Sequence, residues 1–285
     1  MKILSIQSWV SDGHVGNSAA LFPLQRMGAE VASIHTVQFS NHPGHGAHTG
    51  RVYPAADTRA LIAGLAAHGT LAGCDAMLTG YIGDADTGDA VLGAARALRA
   101  ANPVALWCCD PVMGDDGRLY VHADIPGFFM NHAVPEADLL TPNQFELEVL
   151  SGLPCTTLPE LRDAAMALRD RLRPGGPRVV LVTSAVTPDA EPGRARSVLA
   201  TETGAYLLAT DQLPAKFSGA GDALAALFLF HTIALGDPVR AAELAVGSLA
   251  GVLRQTWLAG ASELLSVAAQ SEFVEPSAVP RVIKL

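Results

Sequence analysis

Short apolar runs alternate with helix-length amphipathic stretches along most of the chain. Residues 2–8 and 30–37 read as strands, and the short apolar runs at 74–78, 104–109 and 179–182 have the character of strands buried on both faces of a parallel sheet. Stretches near 57–68, 87–101, 143–151 and 158–172 read as the intervening helices, and Asn17 reads as the cap of a helix reaching about Gly28. Residues 40–50, rich in Gly, His and Pro, break regular structure. Glu202-Thr203-Gly204, between apolar runs at 197–201 and 205–209, reads as a hairpin turn. The end of the chain predicts three helices, at about 220–235, 238–258 and 262–271, the first apolar on every face and therefore buried. This alternation predicts an α/β fold: a mainly parallel sheet, covered by helices on both faces. No linker or internal repeat interrupts it, so residues 1–285 are expected to form a single domain.

Composition sharpens that picture. Apolar residues make up 49% of the 285, enough for a large core, yet no run reaches the roughly 18 needed to cross a bilayer. A formal net charge of −9 argues against a nucleic-acid groove or a basic membrane face. Cys74, Cys108, Cys109 and Cys155 lack disulfide or zinc spacing and read as reduced core thiols. Met1–Ile6 reads directly as a strand with no cleavage-site pattern, and with the thiols it sets the expectation of a cytoplasmic protein. The three lysines, Lys2, Lys216 and Lys284, follow no G-x-x-x-x-G-K pattern, which excludes a Walker-type loop. Phosphate chemistry here must use backbone amides, arginines, hydroxyls and metal.

The strongest chemical signal is Gly219-Ala220-Gly221-Asp222, running straight into the apolar helix. Two glycines let successive N–H groups turn into one concavity, and a helix start adds unpaired amides and a positive dipole end. A carboxylate in that first turn is placed to take a proton from an attacking hydroxyl while the amides hold a transferring phosphoryl group. By itself the pattern also suits a plain turn with an acidic helix start. The other polar candidates fall where strands end, at Ser8, Thr36, Thr79-Gly80-Tyr81, Asp110, Thr141-Pro142-Asn143 with Glu146, and Thr183-Ser184. In open α/β sheets ligands lie off those ends, although Thr141 and Asn143 also suit helix caps.

These motifs, in this order, resemble pyridoxal kinase, a family of the ribokinase-like superfamily: Ser8, Gly13-His14-Val15-Gly16-Asn17, Thr36 to His42, Cys109 to Gly114, Thr141 to Glu146, and Gly219 to Asp222. The resemblance spans residues 2 to about 270. It implies a three-layer α/β/α fold with a substrate lid at about 38–53 and a β-ribbon. It also implies ATP-dependent phosphorylation of the 5′-hydroxymethyl group of pyridoxal, with pyridoxine and pyridoxamine as further candidate substrates.

Carried over residue by residue, the resemblance makes Asp222 the general base and the Gly219, Ala220 and Gly221 amides the anion hole. Ser8 and Thr36 would bond the polar edge of the pyridine ring, Val15, Phe39 and Tyr81 would wall it, and His42 would reach its substituents. Asp110 and Glu146, with Asn143, would surround Mg²⁺, and Thr141 would hold a monovalent cation, K⁺ or Na⁺. Thr183 and Ser184 would bond phosphates, and Thr210, Asp211, Gln212 and Leu213 would run along the nucleotide. A homodimer is expected on the same ground. Two other readings stay open: a hydroxymethylpyrimidine kinase, and a B6-vitamer binding protein of low turnover. In several relatives an aromatic side chain stands near His48, where this lid reads Pro43-Gly44-His45-Gly46-Ala47-His48.

Overall fold

A computed structural model describes all 285 residues. The chain opens as β1 (Lys2–Val10), α1 (Asn17–Arg26) and β2 (Glu30–Phe39), followed by a short β3 (Gly50–Val52) and α2 (Ala55–Ala67). Next come β4 (Ala76–Thr79), α3 (Ala85–Ala101) and β5 (Leu106–Cys109). A two-stranded ribbon, β6 (Gly114–Asp115) with β7 (Arg118–Leu119), precedes the short α4 (Ile125–Phe128) and β8 (Leu139–Leu140). Then follow α5 (Gln144–Ser151), α6 (Leu158–Asp170), β9 (Val179–Ala185), β10 (Arg194–Thr201) and β11 (Gly204–Asp211). The chain closes with α7 (Ala220–Leu235), α8 (Pro238–Leu258), α9 (Ser271–Val274) and β12 (Arg281–Lys284).

Ten strands form one sheet in the order β12-β11-β10-β9-β8-β5-β4-β1-β2-β3. The six from β9 to β2 are parallel, and antiparallel strands flank them at both edges. Alternation along the strands sends side chains into two cores. Leu4, Ile6, Met77, Trp107, Val180 and Val182 pack with α3, α5 and α6 on one face. Ile3, Leu78, Cys108, Leu139 and Leu181 pack with α1, α7 and α8 on the other. The all-apolar α7 is buried there from Ala223 through Leu229, as its lack of a polar face requires.

Local chemistry fixes the helix starts nearest the site. Asn143 caps α5 by accepting the Glu146 amide while Glu146 accepts the Asn143 amide, a reciprocal capping box. Asp237 caps α8 ahead of Pro238.

The structure corrects four expectations. Asn17 is not a cap: Gly16 occupies that position, and the fully buried Asn17 side chain joins β1 to β2, accepting from the Ser5 hydroxyl at 2.6 Å and donating to the Ile34 carbonyl at 2.9 Å. Ser8 and Thr36 do not end their strands, which continue to Val10 and Phe39. Residues 262–271 form turns rather than a helix, because Leu264 and Ala269 are buried and the Leu265 amide donates to the Thr256 hydroxyl. In the lid, Val37, Gln38 and Phe39 pair with Val52, Arg51 and Gly50, so the free loop shrinks to residues 40–49.

Candidate active site

A cavity of about 800 Å³ opens at the carboxyl ends of the parallel strands. Ser8 and Val10 reach it from β1, Val37 and Phe39 from β2, and Val15 from the loop ahead of α1. Tyr81 follows β4, Asp110 and Val112 follow β5, Thr141 and Asn143 follow β8, Glu146 comes from α5 and Thr183 from β9. The segment Lys216 to Asp222 closes the ring. Of the sequence-derived candidates, Ser8, Val15, Phe39, His42, Tyr81, Asp110, Thr141, Asn143, Glu146, Thr183, Gly219, Ala220, Gly221 and Asp222 all line this one space.

The phosphate end is set by Gly219, the N-cap of α7, in the left-handed region at φ 81°. A Cβ there would drive into the His14 carbonyl oxygen, so only glycine lets this turn seat against the β1–α1 loop. Gly221 faces open space. Asp222 stands in the first turn of α7, where burial raises its carboxyl above the usual range and the Gly16 amide and its own amide partly offset that rise. Gly16 packs directly on Ser8 and its amide bonds the Asp222 carboxylate, so one residue joins the two.

The acidic end is more crowded. Asp110 is 6% exposed and Glu146 4%. Burial pushes Asp110 well up, and the neighbouring charges of Glu146 and Asp222 push it further, while the Thr141 hydroxyl, 2.9 Å from Oδ1, opposes them. Glu146 is pushed up to about 7 by burial, despite accepting amides from Asn143 and Met113 at 2.9 Å and Gly114 at 3.5 Å. Asp110, Asp115, Glu146 and Asp222 face the cavity, and Lys216 is the one lysine or arginine there. No three of the carboxylates converge closely enough to enclose an ion unaided, so this all-oxygen, excess-negative set fits a hard divalent cation that keeps much of its water shell. Asp110 keeps Oδ2 free for it, whereas both Glu146 oxygens are held by backbone amides, which suits Glu146 to a water-mediated position. The Asn143 side chain is fully engaged, accepting from Glu146 and donating to the Gly114 carbonyl at 2.8 Å.

The apolar end is a slot between Val15, Phe39 and Tyr81. His48 packs edge-on against Phe39 with ring centroids 4.9 Å apart, supplying an aromatic contact in the lid. The His42 ring nitrogen accepts the Gly44 amide at 3.2 Å and shapes the lid turn.

Other candidates lie outside the lining. Thr36 is fully buried, its hydroxyl donating to the Tyr81 carbonyl at 2.7 Å, so it shapes the wall from behind. Ser184, at φ 53° beside a register shift between β9 and β10, is exposed away from the cavity. Thr210 and Asp211 belong to β11, with Asp211 paired to Arg194 at 2.5 Å, and the Gln212 amide donates to the Gly193 carbonyl. Neither they nor Leu213 reach the cavity. Thr79 is likewise committed, accepting from the buried Trp107 indole at 2.9 Å. Sequence reasoning passed over Tyr120, Lys216, Phe217 and Ser218, which do line it. Position carried a signal for the last three, since they directly precede Gly219.

The chain is similar to known proteins in sequence and in fold. Residues 50–263 match the family described as phosphomethylpyrimidine kinase. A pyridoxal kinase, PdxY, of Granulibacter bethesdensis is 51% identical over 279 residues, covering 97% of each chain. The PdxY of Deinococcus radiodurans is 49% identical, covering 96% of this chain and 93% of its own. The structure of pyridoxal kinase from Leishmania donovani in complex with ADP and ginkgotoxin superposes with a TM-score of 0.92 at 31% identity, covering 100% of this chain and 99% of that one. The fold is ribokinase-like, and with relatives so named matching nearly its whole length, the chain belongs to the pyridoxal kinase family.

Proposed function

We propose that this protein transfers the γ-phosphoryl group of ATP to the 5′-hydroxymethyl group of pyridoxal, giving pyridoxal 5′-phosphate in vitamin B6 salvage. The observation that carries this reading is the single cavity that joins a flat apolar slot, a buried carboxylate at a helix start and a glycine turn of free amides. The ring lies between Val15, Phe39 and Tyr81, with the Ser8 hydroxyl on its polar edge, Thr36 backing that wall and His42 near its substituents. Asp222 accepts the hydroxyl proton, and a carboxyl raised by burial is a stronger base for that step than a free aspartate. The amides of Gly219, Ala220 and Gly221 receive the charge of the transferring group at the positive end of α7. Asp110 directly, and Glu146 through water, would hold Mg²⁺, which would neutralise phosphate charge on the nucleotide side. Thr141 and Asp110 offer the hydroxyl and carboxylate suited to K⁺ or Na⁺, Asn143 positions Glu146, and Thr183 is the phosphate-side hydroxyl of the set. With Ser184 and residues 210–213 turned elsewhere, Thr183 and Lys216 are assigned the nucleotide side.

The chain acts as one catalytic unit, and a cytoplasmic homodimer is its proposed state. No helix is long and apolar enough to cross a membrane.

Release of ADP from Mg²⁺-ATP, followed with pyridoxal, pyridoxine, pyridoxamine and hydroxymethylpyrimidine, tests the reading. Turnover with pyridoxal that Asp222→Asn lowers by about 10²-fold or more is the expected result. Turnover with the pyrimidine alone, or tight pyridoxal binding with no ADP release, would replace it.

A further inference from the structure

Glu263 lies in the turn segment after α8, far along the chain from every motif of the site. Its neighbours hold it rigidly: Leu264 is 1% exposed, and the Leu265 amide donates to the buried Thr256 hydroxyl at 3.1 Å. From that post its carboxylate reaches two active-site loops. Oε2 accepts the His14 amide at 3.3 Å, and Oε1 pairs with His45 Nδ1 of the lid at 2.8 Å. The other His45 nitrogen, Nε2, meets the Ser218 hydroxyl at 3.2 Å, immediately before the anion-binding turn. The His14 carbonyl in turn packs against Gly219. The one other titratable group facing His45 is His42, with ring centroids 5.1 Å apart. One carboxylate therefore fixes the β1–α1 loop directly and joins lid to phosphate turn through a single imidazole.

We propose that Glu263 is a positioning residue: through His45 it latches the lid shut over the substrate slot and couples that closure to the Ser218–Gly219 turn. This rests on the kinase reading above, because the slot that His42, Pro43, Gly44 and His48 cover is the one assigned to pyridoxal. Closure has two consequences. It holds the vitamer in place, and it keeps water from competing with the vitamer hydroxyl for the phosphoryl group. In that competing reaction water attacks the γ-phosphorus, the bond to the bridging oxygen of ADP breaks, and ADP and inorganic phosphate leave.

The test compares the wild-type enzyme with Glu263→Ala, Glu263→Gln, His45→Ala and the Glu263→Ala/His45→Ala pair, with Glu243→Gln as a charge-matched control. Glu243 pairs with Arg240 on the surface of α8. Loss of a hydrogen bond to a charged group predicts a rise in KM for pyridoxal of roughly tenfold in Glu263→Ala, with kcat changed less. Glu263→Gln, which keeps one acceptor oxygen, falls between. The ratio of ADP to pyridoxal phosphate formed rises above one. The double variant is no worse than the more affected single variant, since the two side chains act as one contact. Trypsin cleavage after the exposed Arg51 at the lid hinge quickens while Tm stays near wild type. That last readout needs no turnover, so a wild type inactive on pyridoxal refutes the substrate and leaves the latch measurable. Wild-type KM, a product ratio of one and unchanged cleavage in Glu263→Ala would overturn the latch, as would additive effects in the double variant.

Discussion

Crowding of buried carboxylates makes the metal-free protein a stability sensor of its own site. Glu146 and Asp110 hold their protons to a higher pH when folded than when unfolded: burial is the main cause for both, with the Asp115 charge adding for Glu146 and the Glu146 and Asp222 charges adding for Asp110. Stability from such groups is complete below the unfolded-state pKa and is lost as pH rises through the folded-state value. For Glu146 the window runs from 4.5 to about 7, and its carboxyl alone costs roughly 3 kcal/mol once the pH is above that window. In a chain of this size that is about 5 °C in Tm. Thermal unfolding in a chelating buffer between pH 5 and 8 should therefore show Tm falling, and millimolar Mg²⁺ should restore it at pH 8 and do little at pH 5. Asp110→Asn keeps the acceptor for Thr141 but removes the charge facing Glu146. It should remove Asp110's own share of the metal-free fall while leaving the share of Glu146, abolish the Mg²⁺ response and lower kcat. A wild-type Tm that is level across this range, or an equal Mg²⁺ shift at both ends, would refute the account of a shared cation site.

Other expectations concern single positions. Asp222→Asn should lower kcat by about 10²–10⁴ while KM for pyridoxal stays within a few-fold, measured by coupled ADP release. A pH profile of kcat/KM should fall on the acid side as the raised Asp222 carboxyl gains its proton, and an acid limb unchanged in that variant's residual activity would contradict its role as base. Gly219→Ala must push the α7 turn off the His14 carbonyl and should abolish activity, whereas Gly221→Ala has open space and should fold with Tm near wild type. Lys216→Met breaks exposed contacts to Asp116 at 2.7 Å and Asp115 at 3.7 Å, worth under about 1 kcal/mol, but should raise KM for ATP several-fold in a salt-dependent way.

What could be read from sequence, and what could not, divides along the range of the forces involved. Period and punctuation are local, so the buried parallel strands, the β10–β11 hairpin and the apolar α7 were legible, and with them the rule that polar residues gather where strands end. Gly219 to Asp222 was legible because a glycine turn, an acidic first helical turn and an apolar helix are consecutive. Errors arose where a side chain's partner lies far along the chain. Asn17 looks like a cap, yet Ser5 and Ile34 claim it. Residues 262–271 have helical composition, yet burial of Leu264 and the Thr256 hydroxyl hold them in turns, a tertiary override of propensity. Thr36 has the right chemistry for a ligand contact, but the strand period turns it behind the wall toward Tyr81.

The acidic cluster shows why the two kinds of evidence had to meet. The family resemblance implies Asp110 and Glu146 as the acidic groups around the metal, with Asn143 beside them, and does not rank the two carboxylates. The hydrogen bonds separate them: Asn143 and Glu146 satisfy each other's backbone in a capping box, while Asp110 has one hydroxyl partner and one oxygen left over. A capped helix holds Glu146 fixed at no cost in flexibility, so its charge acts on the site from a constant position even though its oxygens are taken. The same residue thus ends a loop and starts a helix, and in the proposed function it would also supply field to the cation site. Glu146→Asp distinguishes those roles, because the shorter side chain keeps the charge but cannot span to the Met113 and Asn143 amides together. It should lose stability by about 1–3 kcal/mol and raise the Mg²⁺ concentration needed for half-maximal rate. Wild-type stability with an altered Mg²⁺ requirement would assign Glu146 to the metal alone, and the reverse would assign it to the helix alone.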